Sequence, residues 1–222
     1  MIIAERKPLA EIQSLLAGRK WVLLLGCGTC VTVCMAGGEK EVGILAAELR
    51  IARQVAGEPI ETAEETVQRQ CEWEYLDAVA DKITSADTVL SLACAIGVQA
   101  IAQRFPTVRV VPALNTTFLG LPTEHGVWQE RCQACGNCLL GKTGGVCPVA
   151  RCSKSLVNGP CGGSQRGKCE VNPEIDCGWQ LIYDRLSTLG EQDYMLEIEP
   201  PRDWRTSRDG GPRKIVREDL RA

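Results

Sequence analysis

The sequence predicts an α/β protein: a small domain with a doubly wound parallel sheet, followed by a small irregular cysteine-rich domain that holds metal clusters. Two observations carry this prediction. Up to about residue 125, short apolar strand segments alternate with helical segments, which is typical of βαβ units. Eight cysteines then crowd between Cys132 and Cys177, in a stretch with few large apolar residues. Since such a stretch cannot build an independent core, we expect bound metal to stabilise it.

The predicted elements of the first domain follow from hydrophobic periodicity. "WVLLLG" at 21–26 is apolar on both faces, as in a covered parallel sheet. Further strands are predicted at 58–62, 88–93 and 108–114, and helices at 7–20, 39–57, 71–83 and 95–105. This alternation predicts a Rossmann- or flavodoxin-like domain over residues 1–125. A helix at 179–190 closes the cysteine-rich domain, predicted over 126–190.

The remaining segment, 191–222, is predicted to be an extended tail. It contains a Pro-Pro and a Gly-Gly break and mixes basic with acidic residues. One interpretation is a solvated, mobile end. The other is a partner-binding arm with Trp204 as its anchor, because a tail has no other obvious use for a tryptophan.

Composition restricts the function. The net charge of −3 favours no nucleic-acid surface, and no apolar stretch is long enough to span a bilayer. The first residues do not resemble a signal peptide, so the expected location is the cytoplasm. Disulfides are rare there, so the 13 cysteines are expected to be metal ligands or redox groups. His125 is the single histidine, which favours all-thiolate sites: zinc held by four cysteines, or iron–sulfur clusters.

The C-terminal cysteines match two metal centres by count. Three of them are spaced by two residues, so that one loop can wrap around a cluster, and a Cys-Pro pair follows after eight residues. Eight thiolates suit two [4Fe-4S] clusters; zinc in place of one cluster, or two four-cysteine zinc sites, is the alternative. Neighbouring glycines allow the tight turns that either metal requires. The candidate ligands are Cys132, Cys135, Cys138, Cys147, Cys152, Cys161, Cys169 and Cys177.

A second candidate centre lies in the first domain. Cys27, Cys30 and Cys34 share one loop after the first predicted strand, and Cys94 follows the strand at 88–93. Ligands bind at the carboxyl edge of a parallel sheet, where these thiols are expected to meet. Cys71 faces the same edge and competes with Cys94 as the fourth ligand. The centre is either iron–sulfur or zinc; alternatively, Cys71 and Cys94 are small buried apolar residues.

No catalytic site is predicted. His125 precedes a glycine at the domain boundary and is interpreted as a structural or surface residue. The glutamates fit helix starts and solvated faces, and no set of polar residues resembles a substrate pocket. The sequence therefore gives little support to acid–base or nucleophilic catalysis by this chain.

Five stretches of the sequence are distinctive: "CSKSLVNGPCGG…GKCE…CGW" at the C-terminal end, and "GCGTCVTVCMAGGEKEV", "RQCEWE", "SLACAIGVQ" and "PALNTTFLG" upstream. Together they resemble one family, the small iron–sulfur subunit (MetV type) of methylenetetrahydrofolate reductases. The resemblance covers roughly residues 20–190. "ACAIG" departs from the pattern, because Ala95 stands where a glycine is expected after Cys94.

The resemblance implies a non-catalytic accessory subunit with an electron-transfer role. The chain would relay electrons through iron–sulfur clusters to the flavin of a MetF-type catalytic subunit. That partner would carry FMN and the folate site and would reduce 5,10-methylene- to 5-methyl-tetrahydrofolate in Wood–Ljungdahl one-carbon metabolism. Ferredoxin is one candidate electron donor. The alternatives are a zinc-stabilised assembly subunit of the same complex and an iron–sulfur adaptor of another oxidoreductase, such as a hydrogenase or heterodisulfide reductase.

Overall fold

The structure is a computed structural model that describes residues 1–217 and Asp219. It forms two compact units, Met1–Gln129 and Glu130–Ala222. The sequence-based boundary after residue 125 lies close to this division. The tail predicted from residue 191 is grouped with the cysteine-rich unit; its last residues, Glu218 and 220–222, lie outside the described part.

A four-stranded parallel sheet forms the centre of the first unit. Its strands are β2 (Trp21–Cys27), β3 (Glu61–Val67), β4 (Thr88–Leu92) and β5 (Val110–Pro112). Their order is β3-β2-β4-β5, so β2 comes first along the chain, inside the sheet, and later strands are added on both of its sides. This confirms the predicted α/β class. Residues 22–25 of β2 are fully buried, as expected for an apolar strand covered on both faces.

Helices connect these strands. The longest of them, α3, buries Val42, Leu45 and Leu49 against the sheet at helical spacing. Its first turn is capped where the Gly38 N–H donates to the Glu41 carboxylate at 3.0 Å. Within the described residues, no helix is long and apolar enough to cross a membrane. The helices are α1 (Leu9–Leu15), α2 (Cys30–Val33), α3 (Glu39–Val55), α4 (Trp73–Asp77), α5 (Ala80–Ser85) and α6 (Ala95–Arg104).

The predicted helix at 7–20 and the predicted strand at 108–114 are shorter in the structure, at Leu9–Leu15 and Val110–Pro112, and two further elements differ more. The strand predicted at 58–62 begins at Glu61 and continues to Val67. Its glutamates obscure the strand pattern, yet charged residues suit β3 because it lies at the edge of the sheet. The single helix predicted at 71–83 is two short helices, α4 and α5, which are interrupted at 78–79.

A second, antiparallel sheet was not predicted from the sequence. It comprises β1 (Ile2–Arg6), β6 (Leu114–Glu124) and β7 (Val127–Cys132), in the order β1-β6-β7. The first residues of the chain pair with β6. His125 lies exposed in the turn between β6 and β7, in agreement with its interpretation as a surface residue.

The second unit has little regular structure. In the described part of this unit, the α-helices are α7 (Pro148–Arg151) and α8 (Gly178–Leu189), followed by 3-10 turns at Gln192–Leu196, Trp204–Thr206 and Arg208–Gly210. The buried face of α8, together with its N-cap, supplies a small core of four side chains: Cys177, Trp179, Ile182 and Leu186. The Trp179 indole N–H donates to the Leu156 carbonyl at 3.0 Å. Gly190, with φ +71°, ends α8 as the sequence predicts.

Helix α3 offers a matched test of this packing. Leu49 is 0% exposed and Ile51 is 67% exposed. We expect Leu49→Ala to lower the free energy of unfolding by about 2–5 kcal/mol, because it leaves a cavity. Ile51→Ala should change it by no more than about 0.5 kcal/mol. Urea denaturation followed by circular dichroism measures both; equal losses would contradict the assigned face of α3.

Candidate metal-binding thiols

Four cysteines of the second unit lie around the short helix α7. Cys147 precedes its first residue, Pro148, and Cys152 follows its last. The Ser153 hydroxyl lies 3.3 Å from the Cys169 sulfur, which places Cys169 beside the C-terminal end of α7. Proline at the first helical position fixes the turn, because it needs no hydrogen-bond partner there.

Cys177 is brought to the same place by a close backbone contact. A Cβ on Gly178 would lie 2.6 Å from the carbonyl atoms of Arg151 and 2.9 Å from the Cys152 nitrogen. Only glycine permits this approach without displacing the backbone. A bridge between Lys168 and Asp176 also pairs the segments that precede Cys169 and Cys177. The structure thus gathers Cys147, Cys152, Cys169 and Cys177 around α7.

The Cys169 sulfur lies in an environment that stabilises its thiolate. The hydrogen bond with Ser153, and then the backbone N–H groups of Asn172 and Val171, lower the pKa of this thiol. A thiolate is the form that binds metal. This environment is therefore consistent with a ligand role for Cys169.

Cys132, Cys135 and Cys138 occupy one loop, which the C-terminal tail contacts. The Arg202 guanidinium donates to the Cys135 sulfur at 2.9 Å and also to the Asn137 carbonyl. The Thr206 hydroxyl donates to the Cys135 carbonyl at 2.9 Å. Arg213 donates to the Ala134 carbonyl at 2.5 Å. The described part of the tail is therefore packed on this loop.

The same tail also holds the loop that carries Cys161. Asn158 and Glu199 exchange two hydrogen bonds, of 3.0 and 2.7 Å, between the Asn158 side-chain amide and the Glu199 backbone. Cys161 itself is exposed. Trp204, the proposed partner anchor, is 38% exposed, and the Arg202 guanidinium carbon lies 5.1 Å from the centroid of its ring. The tail therefore links the Cys161 loop to the loop of Cys132, Cys135 and Cys138.

The thiols of the first unit fall into two environments. Cys34 is buried in the core, and its S–H donates to the Ala4 carbonyl at 3.5 Å; burial raises the pKa of this thiol. Cys30, the first residue of α2, is half-buried and lies near Cys34. Cys27 ends β2, and its sulfur lies 3.6 Å from the Thr29 hydroxyl.

Cys71 and Cys94 lie at the same edge of the sheet as Cys27. Cys71 is exposed in the turn after β3, and Cys94 caps α6 after β4. Desolvation raises the pKa of the Cys71 thiol, and the nearby Cys27 and Cys94 thiols raise it further. Cys71 therefore lies close enough to Cys27 and to Cys94 to be influenced by both thiols.

The donor chemistry suits a soft metal. All 13 cysteines are free thiols, and the single histidine lies in an exposed turn. Thiolates select zinc and iron–sulfur clusters over hard cations. In the described residues, no three Cys, His, Asp or Glu side chains are arranged closely enough to hold a metal ion. Binding at any of these sites therefore requires at least a rotation of thiol side chains.

Three residues that shape these surroundings were not predicted from the sequence. Ser153 and Arg202 contact candidate ligands directly, and the Gln70 side chain donates to the Leu25 and Gly26 carbonyls just before Cys27. The contacts of all three join segments that are distant along the chain, so the sequence does not show them. Ser153 directly follows the candidate ligand Cys152, and this neighbouring hydroxyl is the one feature by which it could have been found.

One comparison with known proteins gives a match. Residues 111–205 match the model of a family described as methylene-tetrahydrofolate reductase C terminal. The matched segment contains all eight C-terminal cysteines and Arg202. No curated protein and no solved structure matches the chain. The match supports a protein related to methylenetetrahydrofolate reductases.

The thiolate environment of Cys169 can be tested on the metal-free chain. Because Ser153 lowers the pKa of Cys169, the thiolate persists to lower pH than in an ordinary cysteine. We expect Ser153→Ala to raise that pKa. The pH at which the rate of Cys169 alkylation increases should then be higher, and the rate at pH 7 should fall several-fold. Mass spectrometry of the Cys169 peptide after iodoacetamide treatment measures this rate.

Ser155→Ala is the matched control, because the Ser155 hydroxyl donates to the Val149 carbonyl. An alkylation profile that is the same in both variants would show that Ser153 has no influence on Cys169.

Proposed function

We propose that the chain is the electron-transfer subunit of a heteromeric methylenetetrahydrofolate reductase. It relays electrons through iron–sulfur clusters to the flavin of a MetF-type catalytic subunit. The observation that carries this proposal is the family match over 111–205, a segment that also contains the eight C-terminal cysteines. The partner then supplies FMN and the folate site, and this chain needs no catalytic residue of its own.

The contacts in the second unit support a division of its cysteines into two quartets. Cys147, Cys152, Cys169 and Cys177 surround α7 and form the first. The tail connects the loop of Cys132, Cys135 and Cys138 to the loop of Cys161, and these four form the second. Each quartet matches the ligand number of one [4Fe-4S] cluster.

The clusters, when bound, supply one-electron transfer. The chain's own groups set the environment of the sulfurs. Arg202 places a positive charge and a hydrogen-bond donor against Cys135, and the Ser153 hydroxyl lies 3.3 Å from the Cys169 sulfur, where it can donate to the thiolate. Such contacts favour the more negatively charged, reduced form of a cluster and thereby raise its potential. An N-terminal centre of iron–sulfur or zinc type belongs to the same proposal.

Anaerobic co-expression with a MetF-type flavin subunit tests the function. We expect the two chains to co-purify, with about eight iron and eight sulfide in the C-terminal module. Reduced ferredoxin should reduce the flavin only when this chain is present, and electron paramagnetic resonance (EPR) should detect reduced clusters. A colourless complex that contains zinc but no iron would exclude electron transfer by this chain.

The small core of the second unit favours one second candidate. Among the described residues, four buried side chains form that core, which is small enough for the unit to depend on bound metal for its stability. In that case the chain is a zinc-stabilised assembly subunit of the same complex. Chelators would then unfold the second unit, and reduced-minus-oxidised spectra would show no change.

Arg202 provides a test of the cluster environment. Arg202→Gln removes the positive charge next to Cys135, so we expect the midpoint potential of one cluster to fall by on the order of tens of millivolts. EPR-monitored redox titration of the complex measures the potential. Arg205→Gln is the matched control, because Arg205 is 86% exposed and pairs with Asp203. Equal shifts in both variants would show that the effect is not local to Cys135.

Gly162 provides a test of the Cys161 turn. Its φ is +80°, and no atom lies within 4 Å of an added Cβ, so a substitution acts only through backbone conformation. Valine at this φ costs about 1–3 kcal/mol, whereas asparagine tolerates it. We expect Gly162→Val to lose about one cluster of iron, as Cys161→Ser does, and Gly162→Asn to keep most of it. Full iron content in Gly162→Val would mean that the turn does not support a cluster.

A further inference from the structure

Three cysteines follow three neighbouring strands of the parallel sheet. Cys27 ends β2, Cys71 lies in the turn after β3, and Cys94 lies just beyond β4. Since β2 lies between β3 and β4, all three emerge at one edge of the sheet. Adjacent strands are about 4.8 Å apart, so rotation of the side chains can bring three sulfurs to one metal ion.

A buried hydrogen-bond network joins these strand ends. Gln70 is 0% exposed, and its side-chain NH₂ donates to the carbonyls of Leu25 at 2.7 Å and Gly26 at 3.0 Å. The Ser91 hydroxyl donates to the Gln70 side-chain carbonyl at 2.6 Å. The Ala93 N–H in turn donates to the Ser91 hydroxyl at 3.3 Å.

The network contacts the residue that immediately precedes each of the three cysteines. These residues are Gly26, Gln70 and Ala93. Gly97 of α6 packs directly on the network: a Cβ there would lie 2.7 Å from the Ala93 Cβ and 2.8 Å from the Gln70 Cβ. The backbone positions of the three thiols are therefore fixed relative to one another by side chains that exclude water.

We propose that Cys27, Cys71 and Cys94 form one thiolate site for a thiophilic divalent cation of the Zn²⁺ class, and that Gln70 is its positioning residue. This site is the N-terminal centre named in the proposed function. The presence of any metal centre in the first unit rests on that proposal; the identity of its ligands rests on the structure. Its three protein ligands leave the fourth position of a tetrahedral ion to an exogenous ligand. Because Cys71 lies exposed in a turn, its side chain can rotate toward the other two sulfurs.

Cys34 is excluded from this site. It is 6% exposed, and its S–H donates to the carbonyls of Ala4 and Val31 within the core. Moving its sulfur to the sheet edge would break this packing. The centre is thus built from three strand ends and not from the Cys27, Cys30 and Cys34 loop alone.

Metal content of the full chain tests the ligand set. The chain is purified without oxygen, and zinc and iron per chain are measured for Cys27→Ser, Cys71→Ser and Cys94→Ser. Each variant is expected to lose about one metal equivalent, and the double variant Cys71→Ser/Cys94→Ser no more than that. Cys34→Ala is the control and should keep the metal, with thermal denaturation verifying its fold.

Cobalt titration tests Gln70. Co²⁺ replaces Zn²⁺, and its thiolate charge-transfer band reports the number and geometry of the bound sulfurs. We expect Gln70→Leu to weaken binding about 10- to 100-fold and to alter this band. Gln99→Leu is the matched control, since Gln99 lies on the exposed face of α6. A merely structural role for Gln70 would lower the melting temperature and leave the band unchanged.

The outcomes separate this site from the proposed function. If the Cys71 and Cys94 variants keep all their metal while the C-terminal variants lose iron, the site is wrong and the electron-transfer proposal stands. If the three-thiol site holds zinc in a chain without iron, the site stands and the electron-transfer proposal fails. Loss of metal only in Cys30 and Cys34 variants would assign the centre to the loop.

Discussion

The pairing of β2 with β3 on one side and β4 on the other is the constraint on which the first unit depends. The register is continuous from Trp21 to Cys27 along β3, and from Val22 to Gly26 along β4. The apolar residues of β2 are fully buried, so a shift of register would expose some of them. The carboxyl ends of the three strands therefore have fixed positions, and the thiols that follow them are placed by the backbone.

In the described part of the second unit, neither an extended sheet nor a large core positions most of the cysteines. Four buried side chains form its core, and most of its cysteines lie in loops. Their places are set by individual contacts: Gly178 against Arg151, Arg202 on Cys135, and Asn158 with Glu199. Most of these contacts are polar and exposed, so each stabilises the loops only weakly. A metal that ties four loops together would contribute far more than any one of them.

The features of the fold and of the thiol sites that depend on local sequence patterns could be predicted from the sequence. Those that depend on contacts between distant segments could not. The strand β2 was predictable because its apolar run requires burial on both faces. The glutamates of β3 and the largely exposed β6 carry no such pattern, so tertiary pairing decides their structure. The spacing of the cysteines indicated thiolate chemistry. It did not indicate their grouping, because Arg202 and Cys135 are 67 residues apart along the chain and meet only after folding.

These two ways of placing thiols have different consequences for metal binding. In the first unit, Gln70 and the sheet hold the backbone before metal arrives, so binding costs little more than the rotation of side chains. In the second unit the loops lose conformational entropy when the ligands assemble, and part of the binding free energy is used for that ordering. At equal intrinsic affinity for a metal, the sheet-edge site should therefore fill first. Removal of metal should leave the parallel sheet intact while it loosens the cysteine-rich loops.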